Sequence, residues 1–172
     1  FNSDFFKDQK VWVGRGKSPT ELVVGTMRLI GSHQSPQPGI TKLEVETDIQ
    51  GQAILNPPSV EGWHTGKEWI DSGSLLRRIN FVADRIGDIS NPGVRRIVDN
   101  ISNIKDLSTD QLVDTCVELV GPIRLEEETR TELIEHSHAK GNRLDDSDPS
   151  PTATLDRTNT ICEMLQLVAS TR

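Results

Sequence analysis

No tyrosine occurs in the 172 residues, and four Phe with three Trp leave few aromatic platforms on which bases or sugars could stack. Positive charge is also scarce: 19 Lys and Arg stand against 26 Asp and Glu, for a net charge of -7. Such a surface repels phosphate backbones, and no Lys/Arg stripe gathers locally to reverse the average. Nucleic acid is therefore not an expected partner. No apolar run approaches the ~20 residues of a membrane span. Two cysteines, Cys116 and Cys162, lie far apart at apolar helical positions and outside any C-x-x-C pair, so both read as small core residues. Sequence spacing leaves open whether they form a bridge, and with it the redox compartment.

What is present is helical punctuation. Ser18-Pro19-Thr20-Glu21 combines an N-cap, Pro at the first helical position and a capping-box Glu, ahead of Leu22, Val23, Thr26, Met27 and Ile30 on one face and a Gly31 cap. A second helix is expected from about Ile40 to Leu55, although the alternation of Leu43, Val45 and Thr47 would also suit a short strand; Asn56-Pro57-Pro58 ends it. Ser72 or Ser74 is expected to cap the next helix, with Leu75, Leu76, Ile79, Val82, Ala83 and Ile86 inward and Gly87 past its end. Asn91-Pro92 opens a helix on Val94, Ile97, Val98 and Ile101; Ser108-Thr109-Asp110-Gln111 opens another on Leu112, Val113, Cys116, Val117 and Val120, stopped by Gly121-Pro122. A helix over Leu125–Ala139 places Glu126, Glu127 and Glu128 in its first turn. Residues 141–152 read as a mobile polar linker, and a last helix from about Ala153 turns Leu155, Ile161, Cys162, Leu165, Val168 and Ala169 to one side. These elements imply an all-α fold, one helical domain over 1–172: a compact multi-helix array with short irregular connections and one Trp/Pro/Gly-rich loop. The opening at Phe1 and the ending at Arg172, without start or stop signals, suggest a C-terminal fragment of a larger protein.

Chemistry-bearing residues concentrate between Asn56 and Asp71. His64 could act as a base there, with Glu68 or Asp71 orienting it and Trp63, Lys67 and Trp69 lining a cleft. The competing reading, favoured because no second His or Cys lies nearby, is a structural wedge of Trp rings with glycines permitting the turns. No second His or Cys lies nearby to complete a metal or nucleophile set, so no cofactor or metal site is expected. Gly14-Arg15-Gly16-Lys17-Ser18 ends like a phosphate-binding loop, but Val11 stands where the motif needs its first Gly and Pro19 removes an N–H. His136 and His138 point about 200° apart on a helix and cannot share an ion. His33, in a polar loop, is expected to be solvated. The Asn100-Ile101-Ser102 sequon is discounted because Ile101 occupies a core position.

Three stretches together, Lys17-Ser18-Pro19-Thr20-Glu21-Leu22-Val23-Val24-Gly25-Thr26-Met27-Arg28, then Asn56-Pro57-Pro58-Ser59-Val60-Glu61-Gly62-Trp63 with Gly66, Trp69 and Ile70, and Glu163-Met164-Leu165-Gln166-Leu167-Val168-Ala169-Ser170, resemble the C-terminal half of the bacterial domain of unknown function 1800 family (DUF 1800). The resemblance implies a helical protein longer than this chain, often exported, encoded beside a family related to alkaline phosphatases and sulfatases. It carries over no catalytic residue. The function it and the helices point to is a helical binding or scaffold module of an exported or periplasmic bacterial protein, with an uncovered apolar patch able to drive homodimerisation. The alternative is part of an enzyme, a hydrolase with its site at the Trp63–Asp71 loop.

Overall fold

A computed structural model describes residues 3–8, 16–63, 66–121, 125–139, 144 and 150–170. Among the described residues, a single helical turn at Asp4–Lys7 is followed by seven longer helices: α1 (Pro19–Leu29), α2 (Ile40–Ile49), α3 (Ser72–Ile86), α4 (Pro92–Ser102), α5 (Thr109–Val120), α6 (Glu127–Ala139) and α7 (Pro151–Ser170). A 3₁₀ turn, Gly66–Trp69, leads into α3. Among the described residues the only β pairing is an isolated bridge between Ser59 and Gly62, so the fold is all-α. No described helix is long and apolar enough to cross a membrane.

The ends of these helices are closed by local hydrogen bonds. At α1, Ser18 Oγ accepts from Glu21 N at 3.3 Å while the Glu21 carboxylate accepts from Ser18 N at 2.8 Å. The other end closes as a Schellman motif, Ser32 N to Met27 O at 2.9 Å and Gly31 N to Arg28 O at 3.0 Å, with Gly31 at φ +66. Asn91 caps α4, and Ser108 with Gln111 forms the reciprocal box of α5.

Several expected boundaries move. Helix α2 stops at Ile49 rather than running to Leu55, because Gly51 at φ +97 lets Gln52 N reach Thr47 O at 2.8 Å and close the same Schellman loop. The strand alternative for this segment is not realised. Helix α6 begins at Glu127, two residues later than expected. Helix α7 begins at Pro151, two residues earlier, where Ser150 Oγ accepts from Ala153 N. The mobility expected of 141–152 falls on residues 141–143 and 145–149, outside the described residues; Leu144 between them is buried.

Helix α7 is the axis of the array and lies against α3, α4, α5 and α6, while α1 packs on α3 and α2 rests on both. Ile161, Met164, Leu165 and Val168 of α7 join Phe81, Val82 and Ile86 of α3, Val94, Val98 and Ile101 of α4, and Leu112, Val113 and Cys116 of α5 in one continuous core. Leu155, expected inward, is 57% exposed on the first turns of α7. Cys116 and Cys162 are free and buried; burial pushes the Cys116 thiol up to about 12, with the neighbouring Cys162 adding to the shift.

The largest departure is in α3. Its inward arc is Ser74, Arg78, Phe81, Val82 and Ile86, and Leu75, Leu76 and Ile79 face outward. The apolar residues of α3 span an arc too wide for one contact, and packing against α1 rotates the helix so that Arg78 points in. Arg78 is 3% exposed; its guanidinium donates through Nη2 to the Lys17 carbonyl at 2.7 Å, while Nη1 has no hydrogen-bond partner. Desolvation lowers the pKa of this arginine.

Candidate functional site

The segment between α2 and α3 is held by its own backbone. Gly62, at φ +101, completes a tight turn with its N–H on the Ser59 carbonyl at 3.1 Å. Half-buried Trp63 donates from Nε1 to the Ala53 carbonyl at 3.1 Å, which ties the segment back to the turn after α2. Trp69 is buried, and its carbonyl accepts from Ser74 Oγ at 2.8 Å. Glu68 is exposed. His64 and the side chain of Lys67 lie outside the described residues.

Asp71, rather than Ser72 or Ser74, is the N-cap of α3. Its Oδ1 accepts from Gly73 N at 2.7 Å and Ser74 N at 2.8 Å, and Ser74 Oγ accepts from Asp71 N at 3.0 Å in return. The Ser74 N–H first, then that of Gly73, holds the carboxyl below its ordinary 3.8. A carboxyl pKa depressed in the folded state contributes stability that is present above pH 3.8 and is lost as pH falls through the lowered value. Asp71→Asn keeps a neutral acceptor and removes this titration. Acid titration by circular dichroism is expected to show a loss of helix below pH 3.8 that is smaller in the variant than in the parent chain. Equal acid curves would contradict the cap. The comparison between variants is needed because Asp114, lowered by its hydrogen bond from Arg130, titrates in the same direction.

At the Gly16-Lys17-Ser18 loop, the N–H groups of Ser18 and of the first turn of α1 are already taken within the chain. Ser18 N is taken by Glu21, Thr20 N by Gln52 Oε1 at 2.9 Å, Glu21 N by Ser18 Oγ and Leu22 N by Ser18 O, and Pro19 has no N–H.

A shallow cavity of about 320 Å³ opens between α6 and α7, lined by Thr129, Glu132, Leu133, His136, Leu167 and Ser170. On its rim His136 Nε2 lies 3.3 Å from Glu163 Oε1, a pairing across two helices that sequence spacing does not reveal. The Ser170 hydroxyl is turned to its own helix, donating to Gln166 O at 2.6 Å and Leu167 O at 3.0 Å, so it is not poised as a nucleophile on His136. Among the described residues no group of three or more His, Cys, Asp or Glu could hold a metal ion. His33 differs from expectation: at φ +55 it folds in, and both ring nitrogens are shielded from solvent without a hydrogen-bond partner.

Apolar surface is unevenly distributed. Among the described residues, all the exposed large apolar side chains except Ile104, Leu119 and Leu155 lie between residues 24 and 79. On α2, Val45 and Ile49 form an outward column one turn apart; on α3, Leu75 and Ile79 do the same with Leu76 beside them. Exposed apolar side chains concentrated in this way are a feature of interaction sites.

No curated protein and no solved structure matches the chain. The family-level finding agrees with the three stretches quoted above: the model of the family described as Protein of unknown function (DUF1800) matches residues 1–171, and the chain belongs to that family.

Proposed function

We propose that this chain is a helical scaffold module that docks a protein partner across the outward faces of α2 and the first half of α3. The observation that supports it is the concentration of exposed apolar side chains there, Val45, Ile49, Leu75, Leu76 and Ile79 among them, on helices whose opposite sides are held in the array, by Phe81, Val82 and Ile86 on α3 and by Thr47 with partly buried Leu43 on α2. The reading extends to an exported bacterial protein, and the family resemblance nominates an alkaline phosphatase/sulfatase-like protein as partner. The hydrolase alternative finds less support at the Trp63–Asp71 segment, where the Asp71 carboxylate is committed to the cap of α3 and Trp63 to the Ala53 carbonyl.

The test is calorimetric titration of the purified chain with the alkaline phosphatase/sulfatase-like protein that the family resemblance leads us to expect beside it. Binding is expected, weakened at least tenfold by Leu76→Asp or Ile49→Asp, since apolar anchors at the centre of an interface carry most of its affinity. Absence of binding, or binding that ignores both substitutions, overturns the reading.

A further inference from the structure

The cavity between α6 and α7 is a groove that runs along both helices. Thr129, Glu132 and His136 line it from α6, Leu167 and Ser170 from α7, and Leu133 between them is buried. At one end the His136–Glu163 pair joins the two helices. The two leucines make the lining apolar, and the polar groups beside them that remain free accept hydrogen bonds. The Thr129 hydroxyl and the Glu132 carboxylate have no partner among the described residues. They are three residues apart on α6 and so are neighbours on one face. Arg130, between them in sequence, is taken by Asp114 with Asp110 alongside. Helix α6 carries Glu127, Glu128, Glu132 and Glu135 against that one arginine, so the groove opens on a negative surface. At about 320 Å³ its volume lies at the low end of the roughly 300–1,000 Å³ of small-molecule sites. Open and shallow, it suits one long side chain better than a cofactor.

We propose that this groove receives an arginine side chain from a basic segment of a partner protein. The aliphatic stem lies over Leu133 and Leu167, and the planar guanidinium donates to the Glu132 carboxylate and the Thr129 hydroxyl. Lysine brings the same charge, but its compact ammonium spans two such acceptors less well. The site is built on α6 and α7, apart from the docking face of α2 and α3, and either reading can fail without the other.

The test is a heteronuclear NMR titration of the purified chain with acetyl-Gly-Arg-Gly-amide. The same peptide with citrulline, which keeps the shape of arginine and removes its charge, is the comparison. Saturable shifts are expected at the amides of Leu133, His136 and Leu167 with the arginine peptide and not with the citrulline peptide. Glu132→Gln is expected to raise the dissociation constant at least about threefold, the scale of one exposed ion pair. Its helical circular dichroism spectrum should be unchanged, because Glu132 is exposed. Glu118→Gln removes the same charge from an exposed position on α5 that does not line the groove, and is expected to leave the constant unchanged. Equal binding of the two peptides overturns the proposal, as do shifts that spread over the acidic surface without saturating. Equal losses from the two variants overturn it too, since the general field and not the groove would then hold the peptide. Saturation of the groove by calcium chloride and not by the arginine peptide would make it a site for a metal cation and would also overturn the proposal.

Discussion

Gly93→Ala is expected to destabilise the fold by about 3 kcal/mol, at the upper end of overpacking changes, although alanine is the better helix former by about 1 kcal/mol. Gly93 is the second residue of α4, and a β-carbon there would lie 1.8 Å from the Ile30 carbonyl oxygen and 2.5 Å from its carbonyl carbon. Both are backbone atoms of the turn that ends α1, and no rotamer change can move them aside. The same contact is pinned by Asn91 Nδ2 donating to Ser32 Oγ at 3.2 Å, and Ile30 itself is buried. Alanine must therefore either push α4 away from α1 or open the Schellman closure at Gly31. Gly25→Ala is the matched control: it lies within α1 with open space where its β-carbon would stand, and is expected to gain about 0.5–1 kcal/mol from helix propensity alone. Urea unfolding of the two variants should move the midpoint in opposite directions. A Gly93→Ala chain as stable as the parent would mean that α1 and α4 do not approach this closely.

The features legible in the sequence are those decided within four residues. Ser18 with Glu21, Asn91 with Gly93, and Ser108 with Gln111 each satisfy their own helix end, so residue types at fixed spacing suffice to place them. The Gly31 closure belongs with them. Helix rotation is different in kind. The apolar residues of α3 fill most of its circumference, and only the fit against α1 and α7 selects Phe81, Val82 and Ile86 for the core while leaving Leu75, Leu76 and Ile79 outside. Arg78 and Arg157 were illegible for a related reason. Each is buried by reaching backbone carbonyls distant in sequence: Lys17 for Arg78, and Leu144 at 2.7 Å with Ile104 at 2.8 Å for Arg157. A main-chain oxygen is carried by every residue type, so these contacts have no signature in the sequence. The Trp63–Asp71 segment was recognisable as unusual, and its order was recoverable in part. Asp71 is three residues before Ser74, which is capping-box spacing, but Ser72 and Ser74 offer competing N-cap residues and only the fold selects among them.

The axial position of α7 sets the other large effect. Leu165 is 0% exposed on the helix that α3, α4, α5 and α6 all contact, so truncating it opens a cavity whose walls belong to several elements and cannot collapse from one side. Leu165→Ala is expected to cost about 3–4 kcal/mol, within the range for fully buried leucines. For a domain of this size the melting temperature should fall by roughly 10 °C, at about 2–4 °C per kcal/mol. Leu155→Ala makes the same chemical change ten residues earlier on the same helix, at a side chain that faces solvent, and is expected to stay within about 0.5 kcal/mol of the parent. Thermal denaturation of the pair separates burial from helix propensity, because leucine and alanine differ little in propensity at either position. If the two losses came out equal, α7 would be no more central than a peripheral helix.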